Sequence, residues 1–377
     1  MPLPRPIDTL PEPDESARAH SARVAHALRV AIGRSGGWLS FERYMQLVLY
    51  APGLGYYMAG TRKFGADGDF VTAPELTPLF GETLVGALVD VLRYPDAEVL
   101  ELGAGSGALA ASVLSELGRR GLAPARYRIL EISPELRRRQ RERLQRDVPS
   151  LVDRVVWEAT LPATLTGAIV MNEVLDAVPV HVVARRDGGW FERGVTLTGD
   201  AFAWADRALD AQAVADRRLI ELASGRFPPS VDYVSELNPA AEALVESLGR
   251  ALVRGRALIA DYGFEREHYY HPQRDQGTLI AHYRHRAVDD PFLWPGLADL
   301  TAHVDFTAVG DAALRTGLHV DSYATQARFL IEHGIAARLA AVGPAESLDY
   351  VRAASAVQTL LSPAEMGELF KVMTLSR

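Results

Sequence analysis

The sequence contains no cysteine among its 377 residues. Disulfide bonds, thiolate catalysis and cysteine-ligated zinc sites are therefore excluded. Long apolar runs are missing too, so no stretch predicts a membrane-spanning helix. The first fifteen residues lack the apolar core of a secretory signal, and they carry several acids, which is atypical of a mitochondrial presequence. We therefore expect a cytoplasmic protein without a membrane partner.

Basic residues are not in excess over acidic ones either. The chain has 40 Lys and Arg against 48 Asp and Glu, which leaves a formal net charge of −8. This balance disfavours nucleic acid as a partner and is compatible with a cationic substrate. Hydrophobic residues at 48% and charged residues at 23% are ordinary for a globular chain, whose length allows about one to three domains.

The most informative stretch is Glu98–Gly107, which reads E-V-L-E-L-G-A-G-S-G. Residues 98–102 predict a buried strand and residues 108–119 predict a helix, so a glycine-rich turn joins a strand to a helix. Gly103, Gly105 and Gly107 permit a sharp turn and the close approach of a ligand to the backbone. The stretch therefore predicts a ligand site at the front of a βαβ unit.

Two classes of ligand fit this turn. The loose dinucleotide pattern G-x-G-x-x-G/A fits Gly103–Ala108, whereas an acid followed by G-x-G-x-G, here Glu101, is typical of S-adenosylmethionine (SAM) enzymes. A carboxylate suits the ammonium and sulfonium groups of SAM and would repel a pyrophosphate. SAM is therefore the predicted cofactor, with a dinucleotide or a ligand-free structural turn as the alternatives.

Further candidate residues follow the other predicted strands. Glu131 ends the second strand, where a carboxylate can accept both ribose hydroxyls of an adenosyl group. Asn172, Glu173 and Asp176 follow the fourth strand, and ligands of open parallel sheets bind beyond such strand ends. The alternative is that these acids only stabilise the N-terminus of a helix. The predicted cofactor-binding residues are Glu101, Gly103, Ala104, Gly105, Gly107, Glu131, Ile132, Asn172, Thr72 and Pro74.

The segment Ala51–Glu75 is rich in glycine and aromatic residues and has no helical period. Long irregular segments of this kind are usually functional or disordered, and the aromatic residues argue against disorder. We expect Gly60–Glu75 to close over the cofactor as a lid, with a packed structural loop as the alternative. The histidines between His268 and His303 predict substrate contacts or structural roles, and no metal site is expected.

Repeated strand–helix–strand units with short links predict a parallel, doubly wound α/β sheet. Three β-like runs, at residues 181–186, 190–196 and 202–204, predict an antiparallel insertion. A capping box at Ser362 predicts a final helix from Pro363. The predicted organisation is an N-terminal helical cap and lid loop (1–96), a Rossmann-like domain (97–335) with insertions at about 181–237 and 264–302, and C-terminal helices (336–377).

Five segments resemble the MidA family of SAM-dependent methyltransferases. They are G-D-F-V-T-A-P-E-L-T-P-L-F-G (Gly68–Gly81), E-L-G-A-G-S-G, E-I-S-P-E-L (Glu131–Leu136), N-E-V-L-D-A-V-P and D-L-T-A-H-V-D-F (Asp299–Phe306). The resemblance runs from about residue 20 to about residue 335. Val174-Leu175 departs from the two phenylalanines frequent in the family, which affects the expected shape of the substrate pocket.

The resemblance implies a Rossmann-like class I methyltransferase with a helical cap and inserted elements. Mitochondrial members of the family act in the assembly of respiratory complex I and methylate an arginine of one of its subunits. A protein arginine is thus the implied acceptor, held by carboxylates because its guanidinium stays protonated in water. Glu173 and Asp176 are the candidates for this role, with His303 or Asp305 as a helper. The alternatives are a small-molecule methyltransferase and a non-catalytic SAM-binding assembly factor. A homodimer is also compatible with the sequence.

Overall fold

The computed structural model describes residues 10–59, 72–228 and 231–377. The strands are β1 (Leu39–Ser40), β2 (Glu98–Leu102), β3 (Arg126–Leu130), β4 (Val155–Glu158), β5 (Leu165–Asn172), β6 (His181–Arg186), β7 (Gly189–Thr198), β8 (Ala201–Ala208), β9 (Tyr233–Leu237), β10 (Leu252–Phe264), β11 (Ile280–Tyr283), β12 (Arg286–Val288), β13 (Asp299–Thr301), β14 (Val304–Asp305), β15 (His319–Thr325) and β16 (Phe370–Ser376). The helices are α1 (Glu15–Arg34), α2 (Phe41–Tyr50), α3 (Ala73–Leu76), α4 (Pro78–Leu92), α5 (Ala108–Arg119), α6 (Pro134–Asp147), α7 (Val214–Ser224), α8 (Pro239–Ala251), α9 (Arg266–Tyr269), α10 (Phe306–Arg315), α11 (Gln326–Glu332), α12 (Ile335–Ala340) and α13 (Leu348–Leu361).

The central sheet has eight strands. Its path runs β15–β16–β10–β5–β2–β3–β4, and β14 pairs with the end of β10. Within this sheet, the five neighbouring strands β4, β3, β2, β5 and β10 are parallel. Alternate residues along them face opposite layers of helices. In β2, Val99 packs in the core with α4 and α5, whereas Leu100 packs in the core with α8 and α10. Helices on both faces confirm the predicted α/β class.

The end of the chain differs from the prediction. Residues 363–369 form turns instead of a helix, and β16 then enters the central sheet antiparallel to both β10 and β15. The sheet is therefore mixed and not wholly parallel. Phe370, Val372 and Leu375 are buried in this strand, so the apolar run outweighs the local capping signal at Ser362.

A second, antiparallel sheet carries β1, β7, β6 and β9 in this order, with β8 paired to β7. Strand β6 has the predicted bounds, so the antiparallel insertion is confirmed. Ser40 caps α2, because its Oγ accepts the Arg43 N–H at 3.2 Å. Helices α1 and α2 bury Leu28 and Phe41 in the same core as Val195 of this sheet. The N-terminal helices therefore pack on the insertion.

A third, small sheet holds β12, β11 and β13, in a region where the sequence showed no period. It shares the core of α1 and α2 through Ala281 and Leu300. Within the described ranges, no helix is both long and apolar enough to cross a membrane. Residues 60–71 of the expected lid lie outside the described residues, so the lid stays a prediction, as does the division into three units.

Candidate active site

A cavity of about 410 Å³ lies beyond the carboxyl ends of β2, β3 and β5. The central sheet supplies one wall of the cavity. The other wall comes from the part of the fold built on the core of α1 and α2, here called the second lobe. Its lining residues include Tyr50, Tyr57, His282 and Asp299. Most of the predicted site residues line this cavity, namely Glu101, Gly103, Ala104, Gly105, Glu131, Ile132, Asn172, Glu173, Asp176, Thr72 and Pro74. Parallel strands end at one edge of the sheet, which brings these separated segments together.

The glycine turn has the geometry that its sequence requires. Gly103, Gly105 and Gly107 have φ values of +66°, +51° and +84°, a region that other residues rarely adopt. A Cβ at Gly103 would lie 2.8 Å from Val174 Cγ2, which is too close for an ordinary contact. Gly107 is the N-cap of α5 but does not line the cavity. Gly107 therefore contributes to the shape of the turn and not to the lining of the cavity, and its cofactor-binding role stays a prediction.

Glu101 is the buried acid before this turn, at 1% exposure. Its Oε2 accepts a hydrogen bond from Tyr127 Oη at 2.5 Å. Burial raises the pKa of the Glu101 carboxyl to about 7, although the Tyr127 bond acts in the opposite direction. A cationic group bound beside Glu101 would restore its charge, because opposite charges favour the ionised form.

Glu131 is held by groups from α6. Its Oε1 accepts the Ser133 N–H at 2.8 Å, and its Oε2 accepts Gln140 Nε2 at 3.2 Å. Gln140 Nε2 also donates to the carbonyl of Gly105 at 3.0 Å, and Trp157 Nε1 donates to Gln140 Oε1 at 2.9 Å. Burial raises the pKa of Glu131. Gln140 thus links the glycine turn to the acid on β3, a role that its sequence position did not indicate.

Helix α3 brings the end of the expected lid segment to the glycine turn. Glu75 accepts hydrogen bonds from Ser106 Oγ and from Arg143 Nη1, the latter at 3.0 Å. Arg143 Nη1 also donates to Ser106 Oγ at 2.7 Å. This cluster keeps Thr72 and Pro74 in the wall of the cavity.

Glu173, Asp176 and Asp299 line what is here called the acidic end of the cavity. Glu173 has an unusual backbone conformation. Its φ is +54°, and its N–H donates to the carbonyl of Ala260 at 2.9 Å. Asn172 Nδ2 donates to its Oε1 at 2.9 Å and Tyr262 Oη to its Oε2 at 3.1 Å. Burial, and then the nearby Asp176, raise the pKa of Glu173 to about 8. Residues 173–180 form no helix, so the alternative of a helix N-terminus is wrong.

Two oxygen atoms in this wall lack partners. Asn172 Oδ1 and Asp176 Oδ1 are buried and make no hydrogen bond within the described residues. Burial raises the pKa of Asp176 to about 7. Buried acceptors without donors are costly, so they fit a ligand that brings N–H groups or positive charge.

Several residues that line the cavity were not predicted as site residues from the sequence. Tyr57 Oη donates to Asp299 Oδ2 at 2.8 Å, and Tyr50 Oη donates to the carbonyl of Ala177 at 3.0 Å. The two tyrosine rings are stacked with centroids 5.4 Å apart. In α2, Tyr44 is buried in the core, whereas Tyr50 at the end of the helix lines the cavity. The family motif that begins at Asp299 was the sequence signal that could have identified Asp299 as a site residue.

The structure does not bring His303 to this cavity. Its ring lies behind Tyr262, with centroids 6.3 Å apart, and burial lowers the pKa of His303 to about 3. Asp305 caps α10 by accepting the Ala308 N–H at 3.0 Å and does not line the cavity either. His282 does line it, with a pKa that burial lowers to about 4. Within the described ranges, no group of three or more His, Asp or Glu could hold a metal ion.

The cavity therefore combines an open backbone turn with a row of acids. Among the described residues that line it, none is Lys or Arg. The acids are distributed along its length, from Glu101 and Glu131 to Glu173, Asp176 and Asp299. Such a wall favours ligands that carry positive charge at two places, one beside the glycine turn and one at the end lined by Glu173.

The comparisons with known proteins agree with this geometry. Residues 84–324 match a family described as "Putative S-adenosyl-L-methionine-dependent methyltransferase". A crystal structure of a Burkholderia thailandensis protein bound to S-adenosyl-homocysteine is 47% identical, with a TM-score of 0.92, and the match covers 98% of this chain and 95% of that one. S-adenosyl-homocysteine is what remains of SAM after methyl transfer, and SAM is the cofactor of this chain, as the glycine turn predicted.

Curated relatives cover most of the chain. A Drosophila melanogaster protein named "Protein arginine methyltransferase NDUFAF7 homolog, mitochondrial" is 30% identical over 97% of this chain and 87% of its own length. The Mus musculus protein "Protein arginine methyltransferase NDUFAF7, mitochondrial" is 29% identical over 91% of this chain and 82% of its own length. The resemblance seen in the sequence motifs is thereby confirmed.

Proposed function

Because this chain belongs to the family of S-adenosyl-L-methionine-dependent methyltransferases, we propose that it methylates arginine side chains of a protein substrate. The names of the relatives from Drosophila melanogaster and Mus musculus support this acceptor. The observation that carries the proposal in this chain is the buried acidic end of the cavity. Glu173 and Asp176 lie there, and Asp176 Oδ1 has no partner within the described ranges.

The two acids suit a guanidinium group. Its pKa above 12 keeps it protonated, so it enters the cavity as a cation with N–H donors. Asp176 Oδ1 can accept one of these N–H groups, and Glu173 can accept another once it is ionised. Both acids have raised pKa values, so a cation that binds between them favours the loss of their protons.

In the proposed reaction the acids orient one guanidinium nitrogen for attack. SAM, when bound, supplies a methyl group on its sulfonium for in-line displacement. The N–C bond forms as the S–C bond breaks, and the nitrogen must lose a proton. Glu173, once the bound cation has favoured the ionisation of its carboxyl group, can accept that proton. Positioning is therefore the main contribution of the protein, because an oriented pair of reactants needs little further assistance.

A transfer assay tests the proposal. The purified protein is incubated with methyl-labelled SAM and arginine-containing peptides or protein extracts, and the labelled residues are mapped by mass spectrometry. Peptides in which each Arg is replaced by Lys serve as the matched control. Label on arginine is the expected result, and label restricted to lysine peptides would contradict it.

The two alternatives have separate outcomes in the same assay. Label that appears only in small molecules would indicate a small-molecule methyltransferase. SAM binding by calorimetry without any transfer would indicate a non-catalytic assembly factor. The cytoplasmic location and the homodimer stay predictions.

A further inference from the structure

Asp261 is a buried acid near the end of β10 that does not line the cavity. It is 1% exposed. Its Oδ2 accepts the backbone N–H groups of Val174 at 3.2 Å, Leu175 at 2.9 Å and Asp176 at 3.3 Å. Its Oδ1 accepts the N–H of Tyr262 at 2.9 Å. One carboxylate therefore gathers three successive amides of the turn that carries the proposed acceptor-binding acids.

That turn needs support from elsewhere in the fold. Strands β5 and β10 pair in parallel up to Asn172 and Ala260, and the chain then leaves the sheet at Glu173. Glu173 has a φ of +54°, which is disfavoured for a residue with a side chain. No helix follows to satisfy the amides of residues 174–176. The bonds to Asp261 satisfy these amides and determine the direction of the turn.

We propose that Asp261 is a positioning residue that holds the backbone of residues 174–176 and thereby keeps Glu173 and Asp176 directed at the methyl acceptor. Asp261 itself touches neither cofactor nor acceptor. The inference rests on the proposed role of Glu173 in binding the acceptor. The orientation of Glu173 and Asp176 after β5 thus depends on a residue of the neighbouring strand β10.

The charged and titratable groups around Asp261 come from three elements. Glu173 and Asp176 lie on the turn that it holds, and Tyr262 follows it on β10. Lys371 is its partner in the register of β16, but the Lys371 ammonium donates to the carbonyl of Glu368. Burial, followed by Asp176 and Glu173, raises the pKa of Asp261, and its backbone hydrogen bonds oppose this shift. A change at Asp261 should therefore alter the ionisation of both neighbours.

The test uses Asp261→Asn, which preserves the shape of the side chain and removes its charge. Glu236→Gln is the matched control, because Glu236 is also a buried acid, at 2% exposure, that accepts backbone N–H groups, here from Thr278 and Leu279. Glu236 does not line the cavity. Single-turnover methylation of an arginine peptide, SAM affinity and melting temperature are measured on the same samples.

We expect Asp261→Asn to slow transfer by about ten- to a hundredfold, because small misplacement of an orienting group has effects of that size. SAM affinity should stay within about twofold of wild type. The rise of the rate with pH should move to lower pH, because an acid beside Glu173 and Asp176 has lost its charge. Glu236→Gln should change none of these. A wild-type rate and pH profile in Asp261→Asn, or the same loss in Glu236→Gln, would overturn the proposal.

A measurement on the wild type covers the case in which Asp261→Asn does not fold. The hydrogen exchange of the Val174, Leu175 and Asp176 amides is measured by NMR. Amides that donate to one buried carboxyl group should all be protected from exchange. Exchange of these amides as fast as in an unfolded chain would overturn the proposal. This readout needs no acceptor, so a wild type that methylates no arginine would refute the proposed function without deciding on Asp261.

Discussion

Replacing Glu173 by Gln removes the charge at the acidic end of the cavity and keeps the volume of the side chain. The amide can still bond with Asn172 Nδ2 and Tyr262 Oη, because it has both an acceptor and a donor. A charge-assisted hydrogen bond contributes roughly 1.5–3 kcal/mol, against about 1 kcal/mol for a neutral one. Lost in the transition state, a difference of this order slows methyl transfer by about tenfold.

The pH dependence adds a second, independent signature. Burial and Asp176 raise the pKa of Glu173 to about 8, so the carboxyl group is mainly protonated at pH 7 before a cation binds. About 1.4 kcal/mol is needed to ionise such a group one pH unit below its pKa. The wild-type rate should therefore rise between pH 6 and 9, as deprotonation becomes easier. Glu173→Gln cannot ionise, so its rate should lack the part of this rise that Glu173 contributes.

The assay is single-turnover transfer from labelled SAM to an arginine peptide at a series of pH values. Melting temperatures of the same samples verify that the variant is folded. Asp176→Asn should act in the same direction. SAM affinity should change little, because the predicted cofactor acids Glu101 and Glu131 lie at the ends of β2 and β3, whereas Glu173 follows β5. A Glu173→Gln protein with an unimpaired rate, or with the full wild-type pH profile, would refute the reasoning.

Three further predictions concern the cofactor end. Glu131→Ala should weaken SAM binding by at least about tenfold in calorimetry, because it deletes a charged acceptor for the ribose hydroxyls, and unchanged affinity would remove Glu131 from the site. Gly103→Ala should lower the free energy of unfolding in urea by about 1–3 kcal/mol more than Gly121→Ala, because both glycines have a φ of +66° but only the new Cβ at Gly103 meets Val174. SAM should protect Gly60–Glu75 from limited proteolysis if this segment is a lid, and equal cleavage with and without SAM would contradict that role.

Local signals explain which elements the sequence predicted well. Strand β2 and helix α5 have the predicted bounds, because an apolar run, three glycines and a helical period are contiguous there. The short strand β6 was marked by the Asp187-Gly188-Gly189 turn that follows it. Each of these elements depends on residues within a few positions of one another, so propensity and spacing are sufficient to identify them.

Long-range packing explains what was missed. The capping box at Ser362, just upstream of β16, predicted a helix. Residues 370–376 instead form a strand because they pair with both β10 and β15. The small sheet of β11–β13 has strands of three or four residues, which are too short to show a period. His303 lies on a motif with the family resemblance, yet the packing of Tyr262 separates it from the cavity.

The sequence by itself indicated the fold class, the cofactor and most of the predicted residues that line the cavity, because the glycine turn and the acids at the strand ends are local features. The tertiary structure decided which surfaces face each other across the cavity. It brought Tyr57 and Asp299 from the second lobe to the acidic end, and it placed Asp261 beneath the turn of Glu173. These contacts join residues far apart in the chain, and they form because separate elements bury their apolar faces together.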